Sequence, residues 1–394
     1  MYDIIVVGAG PAGLSAAYAA ASRGAKVLVI EKDDGIGINV RTSGATWVND
    51  MKKFGIDKEF FNVIRRIKIY SPSNHAVIND EYERACILDV RRVYQYLAQK
   101  AIEKGAEIIL KSNVDKCLRE NNRVIGVKAK NLNRDLEFKS RLVIDASGFN
   151  SIIAREVGFA AWKRYGVGAE YECYVDNIEK DSLILMVGKH YSPAGYSWIF
   201  PLDEHRVRIG VGIGRPESRE EPLSLLNNII KKRYKPLDEL GKIEPIELHY
   251  GFIPNDGMRE RLVYDGLMLV GDSAGYSNPL VLEGIRYAIN FGRIAGEVGT
   301  KALVDGCNVS SLKEYEDECK KVKNRIDMAI RVQNRWLSLD DKGWDNEISI
   351  INDLEIDEFI DFLRADFTVE KMLRLAINHP KTIVRQLFRL VAGY

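Results

Sequence analysis

An apolar run, Ile4 to Val7, breaks directly into Gly8, Gly10 and Gly13, and a second apolar run, Lys26 to Ile30, ends on Glu31. A strand without polar alternation is the mark of a buried parallel strand. Gly8 suits the tight turn that follows it, Gly10 lets backbone approach a pyrophosphate, Pro11 and Ala12 open the Ala-rich helix, and Gly13 lets that helix pack on the strand. A diphosphate is favoured there because unpaired N–H groups and the positive dipole end converge at a helix N-terminus. Glu31, followed by Lys32, closes the second strand where a carboxylate can bond ribose hydroxyls. The pattern predicts a βαβ unit that binds an adenine dinucleotide.

A chain of 394 residues exceeds what one compact core usually serves, so two or three domains are expected. Hydrophobic residues at 46%, charged residues at 29% and a net charge of +1 give no global attraction to nucleic acid. Cys86, Cys117, Cys173, Cys307 and Cys319 are scattered without CxxC spacing, and the histidines show no ligand spacing, so neither a disulfide framework nor a metal site is expected. A reducing cytoplasmic setting fits that usage. The first strand begins at the N-terminus and no apolar stretch reaches about 18 residues, so neither export nor a membrane span is expected.

The expected organisation is an α/β nucleotide domain in two parts, 1–165 and 255–304, interrupted by a β-rich substrate domain, 166–254, and followed by a helical C-terminal region, 305–394. Continuous apolar runs give way after Gly166 to alternation in Gly168 to Val175, Leu183 to Lys189, Tyr196 to Phe200 and Arg206 to Gly212, which predicts an antiparallel sheet with one packed and one freer face. Arg141 to Ala146 and Leu262 to Val270 read as further buried strands, ending in Asp145-Ala146-Ser147-Gly148 and Gly271-Asp272-Ser273-Ala274-Gly275. Gly35 to Val48 reads as a polar loop.

Asp272 ends a strand beside small residues, and Pro279 through Glu283, Gly284 and Ile285 leads into a long helix whose N-terminus favours negative charge. Tyr196, Trp198 and Phe200 share one strand face, because side chains alternate with period two. The order Pro193-x-x-Tyr196-x-Trp198-x-Phe200-Pro201, with the Gly8 to Gly13 and Asp272 to Ile285 motifs, resembles the geranylgeranyl reductase family of FAD-dependent proteins with an aromatic-hydroxylase-like fold. The resemblance covers essentially the whole chain. It implies a discontinuous Rossmann-like FAD domain of three-layer ββα organisation. FAD would be held by the residues named above with Arg41, Thr42, Ser43, Gly44, Arg91, Asp145, Gly148 and Gly271, and Tyr196, Trp198 and Phe200 would line a prenyl channel. His190 is the histidine next to that strand, and Tyr196 is the candidate proton donor.

Three departures from the family pattern stand out. The loop after Glu31 reads Val40-Arg41-Thr42-Ser43-Gly44 where relatives often carry a Cys; Leu282 replaces a common Gly; and Val90 stands where an Arg is usual, beside Arg91 and Arg92. The expected function is saturation of geranylgeranyl double bonds in archaeal-type lipids or prenyl precursors by hydride from flavin N5 plus a proton. An aromatic hydroxylase and a non-catalytic prenyl carrier remain open on the same architecture. With a single Gly-rich nucleotide unit, electrons would come from an external donor, NAD(P)H or a ferredoxin-like carrier. The basic amphipathic tail, Phe367 to Tyr394, split by Pro380, suggests peripheral contact with a membrane.

Overall fold

The computed structural model describes residues 1–380. Strand Tyr2–Val7 lies at the centre of a sheet ordered Val263–Tyr264, Leu267–Leu269, Arg134–Asp145, Tyr2–Val7, Val27–Ile30, Glu107–Ile109. Its interior pairings are parallel, with Val7 opposite both Ile30 and Asp145, and Asp145 opposite Leu269. This register brings the carboxyl ends of four strands from distant parts of the chain to one edge, where α/β folds bind ligands.

Strand Arg134–Asp145 is longer than the sequence suggested. Its first half closes an antiparallel meander with Ser112–Glu120 and Arg123–Asn131, and its second half runs parallel to Tyr2–Val7. The expected strand Leu262 to Val270 is instead a short hairpin. Gly266 turns it at φ +74°, packed so closely on the Val124 carbonyl that no side chain fits. Over the sheet, helix Pro11–Ala21 packs on helix Ile285–Ala302, whose Gly292 and Gly296 sit against the Ala12 and Ala16 carbonyls. Without a Cβ at either glycine the helices approach closely and run in the same direction, with Ala12 level with Gly292, so helix Ile285–Ala302 begins about two turns beyond the start of its neighbour.

The second sheet has seven strands, ordered Ile243–Pro254, Tyr165–Val175, Arg206–Arg215, Gly195–Pro201, Ser182–Val187, Arg66–Tyr70, His75–Asn79. Its last two strands come from residues 66–79, which the sequence reading placed with the nucleotide lobe; Leu183 pairs in parallel with Ile67. One face packs Ile199, Ile209 and Val211 under helix Pro222–Lys232, whose Leu226 and Ile229 point inward. The other face carries Trp198 and Phe200, packed with Ile348, Phe359 and Ile360 of the C-terminal helices. The loop expected over Gly35 to Val48 ends in a short strand, Ala45–Trp47, that joins Ala85–Leu88 and Phe61–Ile64. The part of the basic tail beyond Pro380 lies outside the described residues.

Candidate functional site

A cavity of about 510 Å³ starts at the carboxyl edge of the parallel sheet and reaches the freer face of the second sheet. Gly8, Gly10, Pro11, Ala12, Glu31 and Lys32 line one end with Ser112 to Val114; Gly148, Gly271, Asp272, Gly284 and Ile285 follow; Arg41, Thr42, Ser43, Tyr196 and Trp198 line the other end. Gly13 lies beneath, pressed on the Gly8 carbonyl. Helix Pro11–Ala21 has no side-chain cap, so its first N–H groups face the cavity unclaimed by any side chain. Glu31 accepts from Ala9 N at 2.7 Å and Asp33 N at 2.9 Å, which shapes the glycine turn and leaves acceptor capacity on both oxygens.

Asp145 and Asp272 do different work. Asp145 is fully buried and lines nothing; it accepts from Ser147 N at 3.0 Å, Ala154 N at 2.8 Å and Ser273 Oγ at 3.2 Å, folding the Ala146 to Gly148 turn that does line the cavity. Asp272 is in the wall, and burial pushes its carboxyl up to about 7. A carboxyl so placed, without a hydrogen bond from the described side chains, suits a hydroxyl-bearing ligand such as a ribityl chain. The glycine cradle, the uncapped helix, Glu31 and Asp272 together fit FAD.

Several residues expected at the cofactor lie elsewhere. Arg91 donates to the carbonyls of Gly37 and Ile38, both at 3.2 Å, and pairs with Glu247 at 2.7 Å, tying the loop to the second sheet instead of facing the cavity. Gly44, at φ +82°, packs on Val90 and Arg208. Glu283 is held by Arg286 at 2.8 Å and Thr46 at 3.2 Å. Pro279 belongs to a second cavity, its carbonyl accepting from Gln333.

That second cavity, about 580 Å³, lies between the sheet and the C-terminal helices, with Leu185, Val187, Ile213, Trp336, Phe359 and Phe362 among its walls and Glu217 to Glu220 at its rim. Both volumes fall in the range of about 300–1,000 Å³ common for small-molecule sites. The two cavities share Tyr196, Gly212 and Leu282. Leu282 is held at φ +47°, a left-handed conformation unfavourable for a branched residue, with its side chain over Gly166. Tyr196 donates to the Val281 carbonyl at 2.6 Å, and burial raises its pKa far above the ordinary phenol value. It is therefore a reluctant acid and a firm anchor for the segment between the cavities.

The aromatic strand forms the row the sequence predicted, with ring centroids 5.6 Å apart for Tyr196 and Trp198 and 5.9 Å for Trp198 and Phe200. Trp198 lies over Gly168, Gly210 and Gly212, where the absence of side chains makes room for the indole. Phe200 is buried behind it and lines neither cavity, and His190 packs on Tyr191 and Tyr234 away from both. Sequence reasoning missed Glu170, His249 and Arg208. Glu170 accepts from Trp198 Nε1 at 2.6 Å and contacts His249 Nδ1 at 2.9 Å, and both line the first cavity. The available signal was a pair of carboxylates, Glu170 and Glu172, inside an otherwise apolar strand.

Comparison with known proteins agrees with this geometry. The family model described as FAD dependent oxidoreductase matches residues 3–173, and that described as geranylgeranyl reductase catalytic domain matches residues 165–253. A digeranylgeranylglycerophospholipid reductase of Methanopyrus kandleri is 34% identical over 80% of this chain and 81% of its own length. One from Methanococcoides burtonii is 31% identical over 94% of each chain. The crystal structure of a geranylgeranyl bacteriochlorophyll reductase-like protein from Thermoplasma acidophilum aligns over 99% of both chains, with 27% identity and a TM-score of 0.86. By sequence and by fold, the chain belongs to the FAD-dependent geranylgeranyl reductase family.

Proposed function

We propose that this protein saturates the double bonds of geranylgeranyl chains carried by a digeranylgeranylglycerophospholipid or a related prenyl lipid. One observation carries the reading: an apolar cavity of lipid-chain character meets the dinucleotide cavity at Tyr196, Gly212 and Leu282. The second cavity is walled by aliphatic and aromatic side chains, and its charged groups stand at the rim. A polar head group is served by such a rim while the chain is buried.

When bound, reduced FAD supplies hydride. The Gly8 to Gly13 turn and the helix it opens would hold the diphosphate, Glu31 the ribose, and Asp272 the ribityl chain. An isolated alkene is a poor hydride acceptor, so orientation and exclusion of water must contribute much of the catalysis. Tyr196 and Leu282 provide the orientation by narrowing the passage, and Trp198 closes the wall on its bed of glycines. Electrons would arrive from an external donor, a nicotinamide or a ferredoxin-like carrier. Membrane contact would be peripheral, since no described helix is long and apolar enough to cross a membrane.

The test is anaerobic incubation of dithionite-reduced, FAD-loaded protein with a digeranylgeranylglycerophospholipid. Products heavier by multiples of two hydrogens are expected; unchanged lipid mass with fully reduced flavin overturns the proposal.

A further inference from the structure

Saturating an alkene needs a proton as well as hydride, and the Tyr196 hydroxyl is committed to the Val281 carbonyl. We propose that His249, seated on Glu170, is the proton donor of the reaction, an inference that rests on the reductase reading above. His249 belongs to the edge strand Ile243–Pro254, whose alternation turns Leu248 and Tyr250 outward and His249 into the cavity wall. The imidazole is 4% exposed. Trp198 Nε1 already donates to Glu170, and the Arg208 guanidinium stands 3.8 Å from the same carboxyl, so Glu170 is set as an acceptor and His249 Nδ1–H donates to it at 2.9 Å. Nε2 is buried with no hydrogen-bond partner among the described residues. A buried ring nitrogen without a hydrogen bond in the wall of a ligand cavity stays available to what the cavity holds.

Charged groups surround the ring on every side that the strands present. Glu170 and Glu172 face it from strand Tyr165–Val175, and Glu247 from its own strand, with Oε2 3.6 Å from Nε2. Arg208, on strand Arg206–Arg215, opposes them but is drawn to Glu172 at 3.4 Å; Arg91 pairs with Glu247, and Arg41 and Tyr94 line the same cavity. In the reaction the alkene π bond breaks. One carbon takes the hydride that reduced FAD supplies, and the other takes the proton from Nε2 of the imidazolium, which becomes neutral. Water reaching Glu247, 35% exposed, returns the proton, and two electrons from the external donor, delivered together or singly, restore the flavin.

The experiment uses full-length, FAD-loaded wild type, H249Q and E170Q, each reduced with dithionite and mixed anaerobically with a digeranylgeranylglycerophospholipid. Flavin reoxidation is followed against pH in H₂O and D₂O, with FAD stoichiometry measured separately. Wild type is expected to slow as pH rises and to show a solvent isotope effect. H249Q should keep its FAD, reoxidise about 10² to 10⁴-fold more slowly and lose both signatures; E170Q should move the alkaline limb to lower pH. H249Q with the wild-type rate and pH profile overturns the proposal. If H249Q does not retain FAD, E170Q decides, and an unmoved limb is the overturning result. Wild type that leaves the lipid unchanged defeats the reductase reading instead.

Discussion

The two cavities are similar in volume and opposite in construction. Nine residues lining the first are glycines, and its chemistry comes from backbone N–H groups, strand ends and a few polar side chains. The second is walled by large apolar side chains from both sheet and helices, brought together by the packing of the C-terminal helices on the seven-stranded sheet. At Gly8 and Gly251 the first has no room for an added Cβ against neighbouring backbone, whereas the second can be reshaped. A cradle made of backbone must hold a rigid cofactor, while side-chain walls suit a chain with many conformations.

The largest effect is expected at Gly8. Its φ of +103° and its closeness to the Ala146 carbonyl leave no place for a Cβ, so G8V should strain the turn by at least about 1–3 kcal/mol and abolish FAD retention. The flavin-to-protein absorbance ratio and the melting temperature check this. Next, L185W should fill the second cavity and spare the first. FAD stoichiometry should stay at wild type while lipid turnover falls by about ten-fold or more, with an overpacking cost of about 1–3 kcal/mol. Equal loss of flavin and turnover would show that the cavities do not behave separately.

Asp272 supplies a pH test. Its carboxyl rises on folding from the ordinary range to about 7, so between about 4 and 7 the folded state binds more protons than the unfolded one, and the FAD-stripped protein loses stability as pH rises through that window. D272N should flatten this slope in thermal melts and weaken FAD binding. The smallest effect belongs to R41A. Arg41 pairs with Asp33 at 2.9 Å but is half exposed, so stability should change by less than about 1 kcal/mol in chemical denaturation.

Legibility followed the same division. Gly8 and Gly13 could be read because the turn between strand and helix leaves no room for a Cβ at either, and Glu31 and Asp272 because each is a carboxylate just past the end of an apolar strand. The aromatic row was readable from period two alone, but its depth was not: Trp198 faces the cavity and Phe200 is buried behind it, a difference set by the neighbouring strands. Arg91 looked like a cofactor contact by proximity to the family's Arg position, and one step along a helix turned it toward Glu247. His249 and Glu170 are far apart in sequence and meet only because two strands pair in register, Glu170 opposite His249.

By itself the sequence determined the nucleotide fold, the likeness to the family and the residues that act through local backbone form, since turn geometry and strand periodicity are encoded within a few neighbours. Only the tertiary structure decided that strands 66–79 complete the second sheet, that Leu282 and Tyr196 stand where two cavities meet, and that a histidine and a glutamate share a buried wall. Those depend on strand order, register and close helix packing, which are settled by the whole fold competing to bury its surface and not by any one segment.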